Sequence, residues 1–207
     1  MAKQVFPTKG NLIATKKSLD LAVTGYSLMD KKRNVLIKEM MTLLDDVKII
    51  RDQITETYSK AYMALMDANI SQGIITEIVE SVPVDTGISI TYRSIMGVEI
   101  PKVIYDKPDT KIPYDFEKSN SKVDFAYMCF NEVKDLTVKL AEVENGVYRL
   151  ASAIRKTQKR ANALQNMTIP ELEATVKFIN ETLEEREREE FSRQKVIKNQ
   201  KERRESA

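Results

Sequence analysis

A heptad repeat runs through the first third of the chain. Most positions seven apart from Leu12 to Ala61 are apolar or aromatic, and a second series follows three residues later, from Thr15 to Ala64. Eight consecutive heptads fit this pattern, and thirteen of their sixteen positions are apolar or aromatic. A repeat of this length is typical of a coiled coil, so the sequence predicts a long helix whose apolar seam is covered by another helix.

Three positions of this seam are polar, and Arg33 is the charged one among them. The other two are Thr15 and Thr57. A lone arginine at a seam more often sets the register of the helices, with its stem along the apolar surface, than it carries out a function. We therefore expect Arg33 to have a packing role.

A second series of the same kind occupies the other half of the chain. It continues from Ala126 to Leu164 in alternating steps of three and four, with Thr157 as its polar member. The phase then slips by one residue near Pro170, which locally changes the supercoil. Because proline removes a backbone donor and its ring clashes one turn back, we expect a bend or a break at Pro170.

Four of the six prolines lie between the two series and exclude a continuous helix there. They are Pro83, Pro101, Pro108 and Pro113. Two β-branched segments, GISITYRS and VEIPKVIY, flank Met96–Gly97, and their composition predicts a short β-hairpin. Pro101 then requires an edge position or a bulge, because proline cannot donate to the ladder.

These patterns predict a mainly all-α fold, a long antiparallel two-helix coiled coil whose closed end is a short connection with a β-hairpin. We expect one elongated domain over 1–207, in which both termini lie at the same end. Its parts are a long helix over 9–80, the connection over 81–118, a long helix over 119–200 that is irregular near Pro170, and a basic tail over 201–207. The predicted seam includes Leu19, Tyr26, Leu36 and Val47 on the first helix and Leu140, Val147, Ile154 and Leu164 on the second.

The first helix carries a second apolar stripe. Heptad position c, which is polar in an isolated two-helix hairpin, is apolar at five of seven positions, while the adjacent g positions are polar or glycine. Single exposed apolar residues are common and need no explanation. An aligned row more often marks a surface against which another protein packs. We call this row the outer ridge; its members are Leu21, Leu28, Val35, Ile49 and Met63.

The residue types exclude several kinds of chemistry. The chain has no histidine, which excludes Ser-His and Cys-His nucleophiles and histidine metal sites. Its six glycines form neither GxxxxGK[ST] nor GxGxxG. The single cysteine, Cys129, lies on the second seam and fits a buried thiol. We therefore expect a chain that is not catalytic by itself and binds no cofactor or metal.

A single cysteine, which cannot form an internal disulfide, and the lack of an apolar leader or membrane span indicate a cytoplasmic chain. The net charge is +2, too small to imply a nucleic-acid or membrane-surface role by itself. The segment MAKQVFPTKGNL has no apolar core, and no stretch approaches the roughly 18 apolar residues of a membrane span. We expect no direct membrane insertion.

The segment LEEREREEFSRQK, residues 183–195, has nine charged residues in thirteen. Glu184 precedes Arg188 by four residues and Glu189 precedes Arg193 by four, an order that supports helical turns by roughly 0.2–0.5 kcal/mol per pair. The interleaved signs predict an exposed helix.

Both terminal regions resemble the D subunit of V-type and archaeal-type rotary ATPases. The C-terminal segment TQKRANALQNMTIPELEATVKFINETLEEREREEF carries the more specific likeness, and PTKGNLIATKKSLDLAVTGYSLMDKKRNVL carries the other. Together they cover about a third of the chain. Many members have histidine where Tyr26 stands here. The matching positions are Pro7, Thr8, Lys9, Leu12, Lys16, Leu19, Ala22, Gly25, Leu28, Lys31, Lys32, Leu36, Asn162, Ala163, Leu164, Ile169, Pro170, Leu172, Thr175, Ile179 and the run to Phe191.

The resemblance implies a central stalk, the rotor shaft of a V/A-type ATPase. Such a shaft transmits torque between the catalytic head (subunits A and B) and the ion-translocating ring in the membrane, and lies peripheral to that membrane. A small stalk subunit, F, is expected on the outer ridge, and a socket subunit, C, at the closed end. The ion, H⁺ or Na⁺, and the direction, hydrolysis or synthesis, stay open. The expected head-bearing set is Lys9, Lys16, Lys17, Arg186, Arg188 and Arg193.

Two alternatives remain at this point. One is a helical-hairpin adaptor that binds nucleic acid or another anionic partner through a basic tip, formed where the two basic ends of the chain, residues 1–40 and 193–207, meet. The interleaved glutamates argue against it, and we expect no direct nucleic-acid contact. The other is a homodimeric coiled coil. Salt-dependent affinity would identify the first, because each neutralised phosphate releases counterions. Solution mass would identify the second.

Overall fold

The computed structural model describes residues 6–106, 113–115, 117 and 119–205. Pro108 and the last two residues of the predicted tail lie outside this range. The mainly helical fold with a hairpin is confirmed: a long helix pair packs together, and a two-stranded antiparallel sheet lies between its members in the sequence. The elements are α1 (Lys9–Gln72), α2 (Thr76–Ser81), β1 (Ile88–Ile95), β2 (Val98–Tyr105), α3 (Ser121–Ala163), a π-helical turn (Leu164–Thr168) and α4 (Ile169–Glu205).

Helix α1 has a defined start and a defined end. The Thr8 side chain caps its first turn, because Thr8 Oγ1 accepts a hydrogen bond from the Asn11 N–H at 3.2 Å. The helix ends at Gln72, and Gly73 follows with a φ of 83°, a left-handed backbone that favours glycine. The segment expected as one helix over 9–80 therefore contains two helices, α1 and α2. The apolar period of the segment continues past the end of α1, so the period does not predict where that helix stops.

The chain divides into two compact units. The first contains the residues up to Arg33 and those from Lys156 onward. Within it α1 pairs antiparallel with the C-terminal helices, since Lys9 contacts Glu187 while Arg33 contacts Gln158. Its most buried apolar side chains belong to Ala22, Ala161 and Ile179.

The second unit, residues 34–155, holds the rest of α1, the hairpin and most of α3. The pairing is again antiparallel: Arg51 lies 3.1 Å from Glu144, and the Tyr58 hydroxyl lies 3.2 Å from that of Thr137. Small residues on α1 let the helices approach closely at one core cluster. That cluster contains Ala61, Ala64, Ala68, Ile75, Tyr114, Val123, Ala126, Cys129 and Val133. A second cluster contains Leu36, Ile100 and Leu150.

The hairpin has a two-residue turn. Ile95 pairs with Val98, and the intervening Met96 and Gly97 both have positive φ, 51° and 75°, as a type I′ turn requires. Pro101 lies opposite Tyr92, and among the described residues the sheet has two strands, so Pro101 occupies an edge position and no bulge is needed.

The phase slip near Pro170 takes the form of the π-helical turn. The Ile169 N–H donates to the Leu164 carbonyl, five residues back, and the turn passes directly into α4. One wider turn absorbs one extra residue. The break that we considered at Pro170 does not occur, because the proline follows a turn whose hydrogen bonds are already shifted by one residue.

None of the helices among the described residues has a segment both long enough and apolar enough to cross a bilayer.

Candidate interaction surfaces

The predicted seam residues all turn inward within their own units. Leu36 is fully buried, and the other seven are partly buried. Helices of the same chain therefore cover the first series. A second copy of the chain, as in a homodimeric coiled coil, is not needed to bury it. The partly buried members are Leu19, Tyr26, Val47, Leu140, Val147, Ile154 and Leu164.

Arg33 joins two helices of the first unit. Its guanidinium lies 2.5 Å from Asp30 on α1, and its Nη1 donates to Gln158 Oε1 on α3 at 2.9 Å. Gln158 Nε2 in turn donates to Asn162 Oδ1 at 2.7 Å. Sliding of the helices by a heptad would break the Arg33–Gln158 contact, so this contact favours the observed register.

The outer ridge is exposed at every member. The exposed fractions are 74% for Leu21, 58% for Leu28, 38% for Val35, 59% for Ile49 and 65% for Met63. Leu21 and Leu28 belong to the first unit and the other three to the second. Apolar side chains left open in this way are available to a partner.

Two members of the ridge border grooves that α3 helps to form, which the heptad pattern did not reveal. Ile49 lies beside Ile50 and Val143, and Met63 lies beside Phe125, which is itself half exposed. Little in the sequence singles out Phe125, because it is a lone aromatic residue that does not belong to the seam. The apolar surface near Met63 is therefore wider than the ridge alone.

The head-bearing set is divided between paired and unpaired cations. Lys9 Nζ lies 3.0 Å from Glu187 Oε1, and this hydrogen bond raises the pKa of Lys9. Arg186 Nη1 donates to the Pro7 carbonyl at 3.2 Å, which ties the start of α1 to α4. Within α4, Arg188 pairs with Glu184 at 3.7 Å and Arg193 with Glu189 at 3.6 Å.

Lys16 and Lys17 are exposed and make no ion pair with the described residues. The surface around Lys9 thus carries both signs of charge, with acidic side chains interleaved among the basic ones. Such a surface can make many weak, exchangeable contacts, since exposed ion pairs contribute only about 0–1 kcal/mol each.

A polar cluster at the base of the hairpin was missed by sequence reasoning. Asp85 Oδ1 accepts the Gly87 N–H at 3.0 Å, and its Oδ2 accepts from the Tyr105 hydroxyl and from Lys134 Nζ, the latter at 3.0 Å. The hydrogen bonds from Tyr105, Gly87 and Lys134 lower the pKa of Asp85 to about 2. The Asp-Thr-Gly sequence is a recognisable turn signal, whereas nothing local identifies Lys134.

Contacts on both long helices fix the hairpin in place. Ile100 is buried with Leu36 and Leu150, and Arg93 lies 3.6 Å from Glu39 on α1. Gly146 on α3 allows this close approach, because a Cβ there would come within 3.2 Å of Ile100. The hairpin is thus held as part of the second unit.

Comparisons with known proteins agree over nearly the whole sequence. The family described as the ATP synthase D subunit matches residues 11–199. The V-type ATP synthase D subunit of Thermotoga neapolitana is 41% identical over 196 residues, covering 94% of this chain and 97% of that protein. The A-type ATP synthase D subunit of Thermococcus kodakarensis is 38% identical over 199 residues, covering 94% and 93%. That of Pyrococcus furiosus is 37% identical over 209 residues, covering 98% and 97%.

Proposed function

The chain belongs to the family of ATP synthase D subunits, and from that membership we propose that it is the central stalk of a V/A-type rotary ATPase. It transmits torque between the catalytic head and the ring that moves ions across the membrane. The adaptor alternative has no support, because the relatives that match nearly the full length bear the names of ATP synthase D subunits.

One structural observation carries this proposal: in each unit α1 pairs antiparallel with the C-terminal helices through an apolar seam and specific polar contacts. A seam of interdigitated side chains resists sliding and twisting of one helix against the other. Resistance to twisting is what a torque-bearing element requires. Helix α1 contributes 64 residues without interruption.

We assign the partners by the chemistry of each surface. The outer ridge fits the small stalk subunit, F, because its apolar side chains are open to a partner. The head-bearing set fits the head, formed by subunits A and B, because weak mixed-charge contacts allow one surface to pass several positions in turn. The connection between the long helices fits the socket subunit, C. The chain acts without catalysing a reaction itself.

The experiment that tests this function reverses charge on α4. In the purified complex, Arg186→Glu with Arg188→Glu places two more carboxylates in a surface that already contains Glu184, Glu185 and Glu187. We expect fewer ions transported per ATP hydrolysed when the complex is reconstituted in vesicles.

A matched variant separates surface charge from helix stability. The exchange Glu184→Arg with Arg188→Glu keeps an ion pair four residues apart on α4 but reverses both signs. This variant should also lower the coupling, that is, the number of ions transported per ATP hydrolysed. Its helix content, measured by circular dichroism, should stay unchanged. Normal coupling in both variants would argue against a head-bearing role for this surface.

A further inference from the structure

Five cations of the first unit lie at one level of its helix pair. Arg33 on α1 donates to Gln158 on α3 at 2.9 Å, and this contact brings the residues just before Arg33 close to those on either side of Gln158. None of the five forms an ion pair with a described residue, and all are exposed except Lys32, which is half-buried. We call them the basic patch; its members are Lys31, Lys32, Lys156, Lys159 and Arg160.

The basic patch lacks the carboxylates that accompany exposed cations elsewhere on these helices. Residues 145–170 contain no aspartate or glutamate. On α4, by contrast, four cations each lie within 3.9 Å of a glutamate four residues away. In the basic patch Lys159 and Arg160 follow Lys156 by three and four residues, and like charges at this spacing destabilise a helix. The chain alone therefore carries a local repulsion that a bound anion would relieve.

An exposed apolar side chain lies among these charges. Leu28, a member of the outer ridge, precedes Lys31 by three residues and Lys32 by four, so the three side chains share one face of α1. Leu28 is 58% exposed. The neighbouring carboxylate, Asp30, is already bound by Arg33 at 2.5 Å. Cations around an open leucine fit a protein surface, because the charged phosphates that dominate nucleic-acid binding would leave Leu28 uncovered.

We propose that the basic patch binds an acidic segment of a partner protein, which places aspartate or glutamate side chains against the lysines and an apolar side chain against Leu28. Complementary charge of this kind steers association and selects which surfaces meet. The identity of the partner, another subunit of the ATPase, rests on the proposed function. The chemistry of the segment rests on the basic patch alone.

Zero-length cross-linking tests whether carboxylates of another protein contact the basic patch. A carbodiimide joins a lysine amine to a carboxylate only where the two groups touch. It is applied to the assembly purified from its own cells through a tagged copy of the full chain, and the joined peptides are identified by mass spectrometry. We expect the patch lysines to be joined to aspartate or glutamate side chains of another protein.

The variant Lys156→Glu separates binding from stability. It places a carboxylate four residues before Arg160 and three before Lys159, so the isolated chain should unfold about 1–3 °C higher than the wild type. In the assembly it should lower the cross-link yield of the remaining patch lysines at least about threefold, because it repels an acidic segment. Lys122→Glu makes the same change of charge at an exposed position of α3 outside the patch, and it should leave that yield unchanged.

An intact ATPase assembly in which the patch lysines join no carboxylate of another protein would overturn the proposal and leave the stalk function standing. Cross-links to an acidic protein outside any ATPase would support the proposal and contradict the stalk function. A lower unfolding temperature for Lys156→Glu would show that the patch holds no repulsion to relieve. Cross-links to residues 184–190 of a second copy, with doubled mass, would assign the patch to self-association instead. Loss of the bound partner on nuclease treatment would assign it to nucleic acid, and purification without any partner would leave no occupant for it.

Discussion

Gln158 accepts a hydrogen bond from Arg33 at 2.9 Å, and this contact joins α3 to α1 across 125 positions of the sequence. Arg33 is the one charged position of a seam whose other polar positions are Thr15 and Thr57, so its contacts favour one register of the helices. A stalk that transmits torque depends on such contacts, because two regular apolar seams can pair in more than one register.

Replacement of Gln158 tests this contact. Gln158→Ala removes both the acceptor for Arg33 and the donor to Asn162, and should lower the free energy of unfolding by about 1–2 kcal/mol, since a typical hydrogen bond contributes about 0.5–1.5 kcal/mol. Gln158→Glu keeps an acceptor for Arg33 and is the matched control. Thermal unfolding followed by circular dichroism measures both. Equal midpoints for the wild type and Gln158→Ala would show that the contact does not stabilise the pairing.

The contact between α1 and α3 depends on small side chains. Ala61 is fully buried against α3, so Ala61→Leu should destabilise the chain by about 1–3 kcal/mol through overpacking. Ala14 is exposed on the same helix, and Ala14→Leu should leave stability nearly unchanged. Urea unfolding of the two variants measures the difference. A stable Ala61→Leu variant would mean that the helices are not closely packed there.

The outer ridge should bind a partner without stabilising the isolated chain. Leu28→Glu should weaken retention of a second stalk protein during purification, because it places a charge in an apolar contact. Ile13 on α1 is 57% exposed, close to the 58% of Leu28, but lies off the ridge, so Ile13→Glu is the control. Both variants should unfold at the same temperature as the wild type. If both variants lost the partner equally, the outer ridge would not be the surface that binds it.

The base of the hairpin should respond to acid. The pKa of Asp85 is about 2 in the folded chain against an ordinary value of 3.8, so its contribution to stability is present above pH 3.8 and is lost as the pH falls through about 2. Nuclear magnetic resonance signals of Tyr105 should report this loss between pH 4 and pH 2. Asp85→Asn should remove the pH response in this window. A response unchanged by that substitution would assign the transition to another group.

Local periodicity predicted much of this structure. The seam positions, from Leu19 on α1 to Leu164 at the π-helical turn, could be read from the repeat because each helix must bury one continuous stripe. The hairpin turn at Met96–Gly97 could be read from its flanking β-branched segments. Both signals are carried by neighbouring residues.

Contacts between distant residues could not be predicted in this way. Asp85 and Lys134 are 49 positions apart, and no spacing rule links them. The stop of α1 at Gly73 was also missed, because one glycine in a helical pattern costs only about 1 kcal/mol and the apolar period continues beyond it. The extra residue near Pro170 was visible, but its accommodation by a π-helical turn depends on packing along the whole helix.

Native mass spectrometry of the complex that co-purifies with a tagged copy of this chain tests directly whether the chain is the central stalk of a rotary ATPase. We expect one copy of the chain within a multisubunit ATPase assembly that includes a small second stalk protein. The chain alone, or bound only to RNA or to proteins unrelated to an ATPase, would contradict it.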